Sequence, residues 1–383
     1  MTAELRWRNY VVRSGESSAA MWGELFAEKE RNVLFMLGLG FDERMCTGLE
    51  VVLGAGGQGR RDVMLLTFEE GPDSPSRAHS DLRAGNEKRL EQIVAAVQCE
   101  LARRTIKLVS DDNRRIGGRS IAREFSGQGD FKNYSDVIVD ISALPRGLYF
   151  PLLAKLLSIF DQPSADGRVR NLHVVVAHSP MLDSSIIDEG IDDNAKFLHG
   201  FSAAEFEREA TREQPRVWLP VLGRGQLAQL DRIHALVTPD EICPVLPSPA
   251  QNPREADDLI LEYREVLFDR LRVEPRNIIY ASESNPFEVY RQILRSVRQY
   301  KRALEPLSGC KAVVSAMSSK LSSLGALLAA YELRGGAGDA HIDVGIAHVE
   351  AQGYRLDPPV NAPPPTLFHL WLAGESYVQP KQD

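Results

Sequence analysis

Two short stretches, Gly38-Leu39-Gly40 and Gly223-Arg224-Gly225, each close an apolar run and open a helical one. Glycines at such a junction leave backbone N–H groups and the positive helix end facing outward, an arrangement that suits phosphate. Two later stretches, "VDISALPRG" (139–147) and "VVSAMSSKL" (313–321), also pass from an apolar run into a helix. Each carries small hydroxyl residues, Ser142 in one and Ser318 in the other, and then a cation, Arg146 or Lys320. Small residues let a ligand approach the backbone, hydroxyls donate to phosphate or base edges, and a cation balances negative charge. Each feature also has a purely structural reading, glycine as turn former and serine as helix cap. His178 and His348 end comparable apolar runs, either as an acid–base pair or as structural strand-end histidines.

Other chemistry lacks its signature. "GAGGQG" (54–59) fits the dinucleotide fingerprint in letters, but a helix precedes it and a strand follows, the reverse of what pyrophosphate binding needs. It reads as a helix-to-strand loop. "GLGFDER" (38–44) has the right context and lacks the third glycine, with Glu69 standing near the usual place of a ribose-binding acid. No H-E-x-x-H, G-x-S-x-G or Walker A pattern occurs, so neither metal nor cofactor is expected, and catalysis is the less favoured reading. Cys46, Cys99, Cys243 and Cys310 are too scattered for a zinc knuckle or a disulfide framework and read as reduced thiols. A net charge of −8 argues against a general nucleic-acid or anionic-membrane binder. Arg114, Arg115, Arg119 and Arg123 form a local basic stretch, read as solvated surface. The opening residues lack an apolar signal core and no apolar run reaches membrane-spanning length, so a cytoplasmic location with no membrane partner is expected.

The elements that must position these residues alternate. In the first half, "NVLFMLGLG" (32–40), "RDVMLLTFEEG" (61–71), "SDVIVDIS" (135–142) and "RNLHVVVAHSP" (170–180) read as strands. Helices at 42–53, 86–104 and 146–161 lie between them. In the second half "RVWLPVLGRG" (216–225), "EICPVLPSP" (241–249), "RNIIYASES" (276–284), "CKAVVSAMSS" (310–319) and "HIDVGIAHVEAQGY" (341–354) are strands, separated by helices at 226–237, 254–271, 285–304 and 320–333. Nearly all-apolar strands alternating with amphipathic helices mean an α/β fold with mainly parallel sheets covered on both faces. The order of features repeats, and the final strands share "VVAH" and "GIAH", which suggests an internal duplication. The expected organisation is a first unit, with an N-terminal extension, over 1–187 and an acidic, mostly helical connection over 188–215. A second unit follows over 216–355, then a proline-rich linker and a C-terminal docking strand over 356–383. The segment 366–377 is expected either to return as an edge strand or to dock on a protein partner.

With these residues in view, the plan resembles the CRISPR-associated Rossmann-like (CARF) sensor domains. It is still more similar to SAVED domains, two such units fused in one chain. The resemblance implies two tandem Rossmann-like units of bacterial anti-phage defence. It further implies a nucleotide-like ligand, a cyclic oligonucleotide among the candidates, bound between similar lobes and signalled to a separate effector. By the same resemblance "DISALPR" supplies Asp140, Ser142 and Arg146, and "SAMSSK" supplies Ser315, Ser318, Ser319 and Lys320. "LGLG" and "LGRG" would match the opening turns, with Gly38, Gly40, Gly223, Arg224 and Gly225. The Gly-Gly pair of the family's later turn is here Ala143-Leu144 and Met317-Ser318. Two other functions compete with the sensor: a non-catalytic subunit of a defence or nucleic-acid-processing complex, and a ring-nuclease-like enzyme that cleaves its own ligand.

Overall fold

The computed structural model describes residues 5–70, 74–112, 114–201, 213–335, 342–357 and 362–377. The chain falls into two compact units, each with its own sheet. The first comprises the described residues of Asn9–Ile187 and Gly353–Asp383, the second those of Met1–Arg8 and Asp188–Gln352.

The first unit opens with β1 (Val11–Ser14) and α1 (Glu16–Glu28). It continues through β2 (Val33–Gly38), α2 (Thr47–Gly54), β3 (Arg61–Glu69), α3 (Ser80–Val97) and β4 (Glu100–Lys107). Then come α4 (Gly117–Arg123), β5 (Asp136–Asp140), α5 (Arg146–Phe160), β6 (Asn171–His178) and α6 (Pro180–Ser185). β2, β5 and β6 are buried along their whole length, as strands covered on both faces must be. A short strand β7 (Ile186–Asp188) follows where the sequence passes to the second unit.

The second unit contains β8 (Lys196–Phe197), β9 (Arg216–Val221), α7 (Leu227–Val237), β10 (Glu241–Ile242) and β11 (Val245–Pro247). α8 (Glu255–Arg264) runs on as a single π-helical stretch, Glu265–Arg270, and is followed by β12 (Ile279–Ala281) and α9 (Pro286–Ala303). β13 (Lys311–Ala316), α10 (Lys320–Gly335) and β14 (Val344–His348) complete it. β15 (Tyr354–Leu356) pairs with β7, and β16 (Thr366–Ala373) rejoins the first sheet.

The first sheet has the order β1-β16-β6-β5-β2-β3-β4 and the second the order β12-β11-β9-β13-β14-β8. From β4 to β6 all pairings are parallel, and so are those from β12 to β14. In both sheets the first parallel strand lies in the middle. β3 and β4, or β11 and β12 with the short β10 also paired to β9, extend to one side, and the last two parallel strands to the other. The change of direction falls between β2 and β5 in one sheet and between β9 and β13 in the other. At such switch points the loops leaving adjacent strands part company and open a crevice above their carboxyl ends.

Several expectations are corrected. A helix over 86–104 overruns its end: Gln98 closes α3 in the left-handed region (φ 56°), and Glu100–Lys107 is a strand paired with β3 along its length. The described part of 188–215 is extended rather than helical, because Ala195, Leu198 and Phe201 bury their side chains and β8 pairs antiparallel with β14; residues 202–212 lie outside the described residues. The C-terminal segment is neither an edge nor a docking strand. β16 is hydrogen-bonded to β6 on one side and β1 on the other, and Leu367 through Ala373 are buried. An apolar strand of that length, LFHLWLA, is stable only between two neighbours with both faces covered. Of the expected linker 356–365, residues 358–361 lie outside the described residues.

Candidate functional site

In the first unit the glycine turn after β2 lies against the turn after β5. A Cβ on Gly38 would overlap the side chain of buried Leu144, and one on Gly40 would come within 3.2 Å of the Ala143 Cβ. Gly38 is therefore a packing glycine, whereas Gly40 stays half-exposed. The turn is braced from two sides. Asn86 of α3 donates from Nδ2 to the carbonyls of Gly40 (2.9 Å) and Asp42 (3.1 Å). Arg44, buried, meets Asp42 (Nη2–Oδ2, 2.7 Å) and Asp183 (Nη1–Oδ1, 2.8 Å) and donates to the carbonyl of Ala177. Burial lowers the Arg44 pKa, but the two carboxylates outweigh it and raise it overall.

Two expected ligand contacts are turned inward. Asp140 accepts the backbone N–H of Ser142 through Oδ1 (2.8 Å), and its other oxygen fits against Gly48, where a Cβ would sit 2.5 Å away. Ser142 Oγ accepts from the N–H of Ala177 on β6 (2.8 Å). Both residues are buried, so they fix the end of β5 rather than face a ligand. Arg146, half-buried, is the first residue of α5. Beside the turn, Phe41 and His79 form a tilted ring pair with centroids 4.6 Å apart, both half-buried. Gly40 and Ala143 thus meet at the β2–β5 switch point, with Phe41 next to the one and Arg146 three residues after the other.

The second unit repeats the juxtaposition with different chemistry. A Cβ on Gly223 would collide with the Met317 carbonyl and sit 2.9 Å from the Ser318 Cα, so the turn after β9 is pressed on the turn after β13. Here the donors that a phosphate would use are taken. Gly225, in the left-handed region at φ 70°, gives its N–H to Glu262 Oε1 (2.7 Å). The N–H of Gln226 goes to Tyr263 Oη (3.0 Å), which itself donates to the Gly223 carbonyl (2.6 Å). Arg224 is held by Glu255 (2.7 Å) and Asp258 (2.9 Å), which raise its pKa. Ser315 is fully buried and accepts from Trp218 Nε1 (3.0 Å). Ser319 caps α10, its Oγ accepting from the N–H of Ser322 (3.3 Å), and Ser323 donates to the Ser318 carbonyl (3.2 Å). Ser318, Ser319 and Lys320 are half-buried at the start of that helix.

His178 and His348 each stand 3.6 Å from a carboxylate, Asp183 and Glu350 respectively. Burial pushes the thiols of Cys46, Cys243 and Cys310 up to about 11, where little thiolate exists at neutral pH. Among the described residues no three His, Cys, Asp or Glu gather so as to hold a metal ion. Again among them, no helix is long and apolar enough to cross a membrane. A concavity of about 610 Å³ lies at the opposite end of the second sheet, by Asp240, Glu241 and Asn277. On its rim Arg270 pairs with Asp231, and Asn277 donates to Glu241.

The bracing residues Asn86, Asp183, Glu262 and Tyr263 carry no sequence signal, since each reaches the turns from a distant element. Asp42 and Arg44 follow Gly40 directly, and a capping aspartate there is readable in hindsight. The fold and site define an α/β protein with two switch-point turns, one open and one closed by its own side chains. No protein-family model matches the sequence, and no curated protein matches it.

Proposed function

We propose that this is a binding and regulatory protein that takes a nucleotide-like, phosphate-bearing ligand at the switch point of the first unit. The observation that carries the reading is the mouth between β2 and β5. There a half-exposed glycine turn packs on the turn after β5, which runs into α5 at the half-buried Arg146, and the Phe41–His79 ring pair adjoins the glycine turn. A phosphate on the turn would gain from backbone N–H groups and the guanidinium. A base would gain from stacking on the rings. The shared strand order of the two sheets supports reading the units as tandem Rossmann-like copies, and the SAVED resemblance makes cyclic oligonucleotides the first class to try. The bound protein would signal to a separate effector of anti-phage defence.

Thermal unfolding of the full chain with cyclic di-, tri- and tetranucleotides, and with linear mononucleotides for comparison, tests this. A ligand at a hundred times its Kd stabilises the bound unit by about 2.7 kcal/mol. A flat response across the panel removes the reading. A second reading, a non-catalytic subunit of a larger complex, is favoured by the second unit, whose corresponding donors are consumed by Glu262 and Tyr263. Co-purification with partner proteins without any ligand response would support it.

A further inference from the structure

At the amino-terminal end of β5 and away from the switch point, the first sheet buries a chain of titratable groups. Asp136 on β5 lies 3.2 Å from His173 Nε2 on β6, and His173 Nδ1 lies 2.9 Å from His369 Nε2 on β16. All three are buried, and both imidazoles are wholly so. Trp22 of α1 stacks on His369 with centroids 4.1 Å apart. Asp136 also accepts from Arg31 Nη1 (3.0 Å), Asn171 Nδ2 (3.0 Å) and Ser135 Oγ (2.6 Å). Arg31 reaches on to Glu375 (3.0 Å), which follows β16 and also pairs with Lys29. Arg13 of β1 lies opposite His369 in the strand register.

We propose that Asp136, His173 and His369 form an acid-sensitive latch that holds the carboxy-terminal strand β16 in the sheet. The argument is one of proton positions. The carboxylate can only accept, so His173 carries its proton on Nε2 and presents a bare Nδ1. His369 must then donate from Nε2, which leaves its Nδ1 bare, and that atom has no hydrogen-bond partner among the described residues. The chain is complete with both rings neutral. Adding a proton to His173 places N–H on both its nitrogens and forces the His369 proton onto Nδ1, where a buried donor then faces nothing. Adding one to His369 puts a cation in a dry site beside His173 and on the side of Arg13.

Burial holds both imidazoles below their ordinary pKa. For His173 the nearby Asp136 opposes this in part, and for His369 the His173 ring and Arg13 add to it. The Asp136 carboxyl, which burial alone would raise, is held low by His173, Ser135 and Arg31. The unfolded chain therefore binds more protons than the folded one as pH falls through the ordinary histidine value of about 6.5. Stability is fully present above that value and is lost below it.

Hydrogen–deuterium exchange on the full chain, corrected for the intrinsic pH dependence, tests the latch. Between pH 7.5 and 5.5 protection of β16 should fall by roughly tenfold for each histidine held neutral, the effect of one pKa unit apiece, while β13 of the second unit serves as the internal control. His369→Gln keeps a donor towards His173 and removes one of the two titrating imidazoles, so its β16 protection should vary with pH markedly less than that of the native chain. Equal acid sensitivity in the variant, or a β16 response no larger than that of β13, overturns the proposal. Nitrogen-15 spectra of the native protein's imidazoles at pH 7.5 give an independent reading. Nε2–H tautomers on both rings support the latch, and an Nδ1–H or charged His369 contradicts it.

Discussion

The two glycine turns occupy the same place in their sheets and are braced by opposite means. After β2, the arginine is buried and lies behind the turn, and Asn86 holds the turn by its carbonyls, leaving the Gly40 side half-exposed. After β9, the arginine is 48% exposed, and Glu262 and Tyr263 of α8 hold the turn by its N–H groups. A turn gripped by its carbonyls leaves side-chain acceptors off the Gly40 amide, although Leu39 already gives its N–H to the Leu66 carbonyl and Arg44 its N–H to Asp42. In the turn gripped by its donors the Gly225 and Gln226 amides are taken by side chains. The same backbone device is thus open in one unit and closed in the other, and the flanking helix decides which.

The largest expected difference concerns the two arginines. Arg44→Met leaves Asp42 and Asp183 facing each other without their cation in a mostly buried site, and should cost about 3 kcal/mol in urea unfolding of the first unit. Arg224→Met in the second unit should cost roughly a fifth of that, because exposed pairs are screened. Equal losses would break the comparison.

The glycines come next. Gly223→Ala drives a Cβ into the backbone of the turn after β13, which cannot yield as a side-chain tip can, and should lower second-unit stability by about 2 kcal/mol. Gly40→Ala meets the Ala143 methyl at 3.2 Å, with backbone atoms no nearer than 3.5 Å, and should cost less than about 1 kcal/mol. Thermal unfolding of the two variants checks the order, and a reversed order would mean that the first turn is the tighter one.

The smallest effect sharpens the comparison rather than testing stability. Glu262→Ala releases the Gly225 N–H, and inorganic phosphate should then protect the second unit slightly where it does not protect the native one. Calorimetric scans with and without phosphate read this directly, and no gain in protection would show that closure does not rest on that carboxylate.

What sequence revealed and what it hid follow from how far each contact reaches. The apolar runs of β2, β5, β9 and β13 need both faces covered, so their all-buried pattern is local information. β4 was hidden because "ELARRTIK" is half charged, as a partly exposed sheet edge requires, and continues a helical period. The N-terminal elements β1 and α1 were hidden as well, since their burial depends on β16, 360 positions away in the register Val11–Trp371. For the site, the turns were legible and the side-chain directions were not. Ser142 answers an amide 35 residues on, and Ser315 an indole 97 residues back. Nothing local distinguishes such a serine from one that faces a ligand.

The central claim is that the first turn, and not the second, receives the phosphate-bearing ligand. Calorimetric titration of the native protein, Arg146→Ala and Arg224→Ala with whichever nucleotide the thermal panel selects addresses it most directly. Loss of one charge-assisted contact predicts affinity weakened roughly tenfold or more in Arg146→Ala and unchanged in Arg224→Ala. Weakening confined to Arg224→Ala, or the same affinity in all three proteins, would contradict the account.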